Sequence, residues 1–174
     1  ISLLVMAAYF AANLASLGRD LPAAKASIRT AFVQTELGDH DYLRGDTRIG
    51  HHQFNDCLIL MQSVDQRASK TELMVSPTNP QYANSQGNCL DLKRLVNGEV
   101  PPQEQGFYHR YLHGHTMLAR YLLPNMQVAT IRTVYKSAIV LTLFAGIALA
   151  MVSLVQGRRV QETLSGLFFL RHFP

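Results

Sequence analysis

The sequence predicts an all-α membrane protein with at least two transmembrane helices and a mostly helical extracytoplasmic loop domain between them. Three observations predict it. Uncharged apolar runs occupy residues 1–17 and 137–156, and the 119 residues between them hold most of the ionisable groups. Within that middle region, apolar side chains recur near the 3.6-residue period of a helix. A mean hydropathy of +0.03 and a net charge of +4 are therefore averages over apolar and polar blocks.

Residues 137–155 read SAIVLTLFAGIALAMVSLV, with Lys136 before them and Gly157-Arg158-Arg159 beyond. A helix of about 20 residues matches the roughly 30 Å hydrocarbon core, so this run is expected to span a bilayer. The first run, ISLLVMAAYFAANLASL, lacks the basic start of a secretory signal and is expected to be a first span. The absence of an initial Met and the abrupt finish at Pro174 are those of a piece of a longer protein, with residues 157–174 a cytoplasmic turn and the start of a further apolar segment. Arg158 and Arg159 directly after the second run orient it, placing residues 18–136 outside the cytoplasm.

Cys57 and Cys89 both fall in that exported region, where an oxidising compartment permits a disulfide. Two unrelated buried thiols are the alternative. Helices are expected over Ala23–Leu37, ended by Gly38; over His51–Gln62, with Phe54, Cys57, Leu58 and Met61 on one face; and over Cys89–Val96, ended by Asn97-Gly98. Residues 64–76 read as a polar helix fading into loop, and residues 76–88 and 100–106 as loop-like connections with turn clusters around Pro77, Pro80 and Pro101.

The densest chemistry lies in Tyr108-His109-Arg110-Tyr111-Leu112-His113-Gly114-His115. As a helix this stretch aligns Tyr108, Tyr111, Leu112, His115, Ala119 and Leu122 on one face, with His109, His113 and Arg120 elsewhere; Pro124-Asn125 ends it. Ringed and basic side chains next to a span suit the water–lipid interface, either as an anchor or as a binding site for a polar substrate. His109 and His113 have the spacing of helical zinc ligands, and His51-His52 would add more, yet neither an HExxH nor a CxxC pattern accompanies them. No metal site or cofactor is assigned, although the chemistry leaves room for a divalent ion. No nucleophile elbow, phosphate loop or dinucleotide fingerprint is present, and the dispersed basic residues do not form a nucleic-acid stripe. What remains is carboxylate and arginine chemistry: Asp46 and Asp56 as general-base candidates, with Arg48, Arg110 and Arg120 suited to phosphate.

Gly50-His51-His52-Gln53-Phe54-Asn55-Asp56-Cys57-Leu58 and Tyr108-His109-Arg110-Tyr111-Leu112-His113-Gly114 resemble two segments of bacterial polytopic glycosyltransferases of the GT-C type. Those proteins carry a long first extracytoplasmic loop with an essential acidic residue between their first two spans. The resemblance implies a multi-pass protein of the bacterial inner membrane and cell envelope. It would move a sugar from a lipid-linked phosphate donor to an extracytoplasmic acceptor. Asp56 or Asp46 would act as base, and Arg48, His52, Tyr108, His109, Arg110 and His113 would bind substrate. Membrane lipid, the lipid-linked donor and other membrane subunits would be the partners. The alternative is a membrane-anchored extracytoplasmic sensor or scaffold domain that binds a ligand or a protein.

Overall fold

A computed structural model describes residues 2–42, 53–99, 102–107 and 114–155. Helices account for 68% of these residues, so the protein is mostly helical. The order is α1 (Ser2–Ser16), α2 (Leu21–Val33), α3 (Phe54–Val64), α4 (Lys70–Val75), β1 (Thr78–Gln81), α5 (Asn88–Asn97), β2 (Glu104–Phe107), α6 (Gly114–Leu122) and α7 (Val128–Val155). Residues 1–131 form one compact unit and residues 132–174 another.

In the first unit, α3 lies at the centre, packed against α2, α5, α6 and β1. Its Cys57, Leu60, Met61 and Val64 are buried, and Ile28 of α2, Leu92 and Val96 of α5, and Ala119 of α6 complete the core. α2 starts where Asp20 Oδ1 accepts from the Ala23 amide, with Pro22 in the first turn. It stops at Val33, four residues before the predicted end. Thr35 takes a positive φ of 60°, and the chain then folds back so that Leu37 reaches the core outside any helix. Gly38 is therefore not the terminator; its amide donates to Gln53 Oε1 at 2.8 Å.

Three further expectations are corrected. Residues 64–76 are not simply a fading helix: Ser69 and Glu72 form a reciprocal capping box that starts α4. The two connections expected to be loops pair as an antiparallel ladder, Thr78 opposite Phe107 and Gln81 opposite Glu104, so the fold is not purely helical. The face that the spacing aligns on α6 is not buried as a unit, since among its described residues only Ala119 is buried and Arg120, set elsewhere, is buried too. Thr116, Ala119, Arg120 and Leu123 are buried, whereas His115 is exposed. Tyr108, Tyr111 and Leu112 of the predicted face lie outside the described residues.

The amino-terminal run is helical over α1, but the end of this helix belongs to the core. Asn13, Ser16 and Leu17 are buried, and Asn13 Nδ2 donates to the Met74 carbonyl at 2.7 Å. Leu3, Leu4 and Val5 are exposed. Among the described residues one helix, Val128–Leu154, is long and apolar enough to cross a membrane. It begins nine residues before the predicted start at 137, so Lys136 lies within helix α7 and does not close it.

Candidate functional site

The described residues on either side of the polar segment 43–52 belong to one tightly specified frame. The Gln53 amide donates to the Asp41 carbonyl at 2.8 Å, which holds the two ends of the segment together. Both oxygens of the Asp41 carboxylate are used at the start of α5: Oδ2 accepts from the Asn88 amide at 2.9 Å and Oδ1 from the Cys89 amide at 2.7 Å. A carboxylate there satisfies two amides that the helix itself cannot, and it meets the positive end of the helix dipole. The Tyr42 and Phe54 rings, one on each side of the segment, stack with centroids 6.0 Å apart. A disulfide between Cys57 and Cys89, both fully buried, bolts α3 to α5.

Gly87 makes this frame sterically possible. Its φ of +131° and ψ of 160° lie in a region that is essentially glycine's alone. A Cβ there would also stand 2.9 Å from Asp41 Oδ2. Gly87→Ala is expected to destabilise the domain by about 2–3 kcal/mol through backbone strain and loss of the Asp41 cap. Urea unfolding followed by circular dichroism will show a lowered midpoint with an unchanged slope.

Of the residues singled out in the sequence, Asp56 lies in the first turn of α3, half-buried and next to Cys57. Asp46, Arg48, His52, Tyr108, His109, Arg110 and His113 fall outside the described residues, as does the His51-His52 pair weighed for zinc. The anchors of their two segments are described, and they stand apart. Segment 43–52 re-enters at the amino-terminal end of α3. Segment 108–113 enters α6, whose Thr116 carbonyl accepts from Ser63 near the other end of α3. Phe54 to Ser63 is roughly 13 Å along a helix axis. Among the described residues no three His, Cys, Asp or Glu side chains are grouped to hold a metal ion.

Two clefts flank the ladder. An apolar one of about 390 Å³ is lined by Thr71, Glu72, Val75, Ser76 and Phe107, the last described residue before the Tyr108 segment. A polar one of about 210 Å³ is lined by Gln81, Tyr82, Ala83, Gln103 and Glu104. Tyr82 was not singled out in the sequence, and neither were the buried carboxylates near it. Asp65 takes a two-pronged hydrogen bond from Arg67, 2.6 Å to Nε and 3.1 Å to Nη2, and a 2.9 Å bond from Thr78. Asp91 accepts from Ser85 at 2.5 Å and Arg94 at 3.2 Å. Burial, reinforced by the Asp91 charge, pushes the Tyr82 phenol upward, so it stays protonated and able to donate. Asp91 pairs with Arg94 one turn along α5 and Asp65 with Arg67 two residues on, whereas the Thr78 bond to Asp65 comes from another element.

No family model, curated protein or solved structure matches the chain.

Proposed function

We propose that the chain forms the amino-terminal part of a multi-pass membrane glycosyltransferase that moves a sugar from a lipid-linked phosphate donor to an extracytoplasmic acceptor. The observation that carries this reading is the frame of Asp41, Gly87, Gln53 and the Cys57–Cys89 disulfide at the residues that flank segment 43–52. A rigid scaffold under a polar loop is the usual way to position reactive side chains. This segment holds Arg44, Asp46, Arg48, His51 and His52, a set that combines phosphate-binding arginines with proton acceptors. The disulfide favours an oxidising compartment, and helix α7 supplies a membrane span. On this reading α1 extends into the same bilayer, and the segment from Tyr108 to His113 contributes to donor binding near the interface.

The experiment compares Asp46→Asn with Asp56→Asn in the full-length protein in membranes, following sugar transfer from a polyprenyl-phosphate-linked donor. Loss of a general base costs about 10²–10⁴ in rate. The loop frame favours Asp46 as base, with Asp56, in the helix beside the disulfide, as a supporting group. Normal turnover in Asp46→Asn with loss in Asp56→Asn moves the base to Asp56. Normal turnover in both removes the chemical basis of the proposal. The second reading, an extracytoplasmic sensor or scaffold, then takes its place; the polar cleft at Tyr82 favours it.

A further inference from the structure

The carboxy-terminal half of α1 is fastened to the domain, and its amino-terminal half is exposed. Asn13 Nδ2 donates to the Met74 carbonyl at 2.7 Å and to the Leu73 carbonyl at 3.4 Å, and the Tyr121 hydroxyl donates to the Ala12 carbonyl at 3.0 Å. Residues 3–8, all of them apolar, are exposed, Leu3 at 86% and Met6 at 39%. Six consecutive residues cover more than one full turn, so this part of α1 is apolar on every side. A helix apolar all round calls for hydrocarbon around it, and the half-buried Tyr9 and Phe10 that follow suit the headgroup level.

α4 runs antiparallel to the fastened part of α1. Just ahead of α4, Gln66 Oε1 accepts from the Gly18 amide at 2.7 Å, whereas near the far end of α4 Met74 meets Asn13. From Gln66 to Met74 the chain therefore advances towards the apolar end of α1. Val75 comes next and is 65% exposed. It walls the cleft of about 390 Å³ that Thr71, Glu72, Ser76 and Phe107 complete, which places that cleft beside the apolar half of α1. The lining is almost wholly apolar. Glu72 Oε2 is held by the Ser69 amide and hydroxyl at 3.0 and 2.6 Å, and Ser76 is 2% exposed, with its hydroxyl donating to the Pro77 carbonyl. The volume is in the range of ligand pockets, and such a surface offers little to a headgroup or a sugar. Hydrocarbon is the chemistry it matches.

We infer that the cleft between α4 and Phe107 holds one acyl chain of a bilayer phospholipid, lying alongside α1 with Val75 and Phe107 as its walls. The inference rests on the membrane location in the proposed function, through α1, and is independent of its transferase chemistry.

The test uses the absence of tryptophan from the sequence, which makes any introduced indole a lone reporter. Phe107→Trp reads the cleft and Leu4→Trp reads the exposed end of α1. Each variant of the full chain is reconstituted in phosphatidylcholine vesicles whose acyl chains are either plain or brominated at mid-chain, with folding checked by circular dichroism. Bromine quenches an indole that it touches, so both variants are expected to lose most of their emission in the brominated vesicles. Val75→Arg, at an exposed position, puts a charge into the cleft. Combined with Phe107→Trp it is expected to restore most of the emission, and combined with Leu4→Trp to leave the quenching unchanged. A trace of unbrominated polyprenyl phosphate is expected to leave both signals as they are. If Leu4→Trp is not quenched, α1 does not lie in lipid, and the membrane reading fails together with the inference. Quenching of Leu4→Trp without quenching of Phe107→Trp overturns the acyl-chain site alone. Quenching of Phe107→Trp that survives Val75→Arg shows general immersion, and relief by the polyprenyl phosphate shows that the cleft takes a polyprenyl chain; either result overturns the inference.

Discussion

Replacing Cys57 and Cys89 together with serine is expected to destabilise the domain by about 3–4 kcal/mol, the chain-entropy value for a crosslink spanning 32 positions. For a protein of this size that lowers the unfolding midpoint by roughly 10 °C. The loss is larger than at most surface sites because the bond acts twice. It limits the unfolded chain, and in the folded state it fixes the amino-terminal ends of α3 and α5 against each other. Two buried hydroxyls in place of the sulfurs add a desolvation penalty. The check is thermal unfolding of the oxidised wild type, the reduced wild type and the double variant. The reduced protein should fall close to the variant. If reduction leaves the midpoint unchanged, the crosslink does not hold the frame. The same comparison should reach segment 43–52, whose re-entry point at Gln53 lies four residues before Cys57. Protease cleavage within that segment should accelerate in the variant at temperatures where the rest of the domain remains folded.

Arg67→Ala, which strands the Asp65 carboxylate, is expected to cost about 2–4 kcal/mol, against about 1–2 kcal/mol for Asp65→Ala, which strands the guanidinium and leaves Thr78 without its acceptor. The asymmetry follows from burial. The Asp65 side chain is 1% exposed and that of Arg67 is 38% exposed, so a stranded guanidinium rehydrates but a stranded carboxylate cannot. Asp65 terminates α3, and through Thr78 it ties that end to β1, hence to Phe107 across the ladder. Its loss should therefore loosen the entry to the Tyr108 segment as well as lower stability. Urea midpoints of the two single variants and the double variant measure both effects, and the double should resemble Asp65→Ala alone. Equal losses for the two single variants would show that the stranded carboxylate costs no more than the stranded guanidinium.

The parts of this fold that were legible in the sequence are those governed by neighbours along the chain. α5 runs one residue beyond its expected bounds at each end, and its stop was legible because Gly98 supplies a left-handed cap at φ 69°. The core positions of α2 follow a helical repeat at Ala24, Ile28 and Ala31. The start of α4 was legible and overlooked: Ser69-Lys70-Thr71-Glu72 is a capping-box sequence. β1 was not legible, since Thr78-Asn79-Pro80-Gln81 has turn composition and becomes a strand only because residues 104–107 lie opposite it.

The candidate site divides in the same way. The residue types of segments 43–52 and 108–113, the two cysteines and the long apolar run are properties of the sequence, and their chemistry could be named from it. That Asp41 would cap a helix 47 residues away, that Gly87 would be glycine for the sake of that carboxylate, and that Arg120 would turn inward without a counter-ion are not. Periodicity set Arg120 apart from the face of Tyr108, Tyr111, Leu112, His115, Ala119 and Leu122 without saying which way it turns. Local pattern reports which residues share a face, whereas the direction that face turns depends on which neighbouring helices come to rest against it, and only the packing of α1 and α3 on α6 decided that.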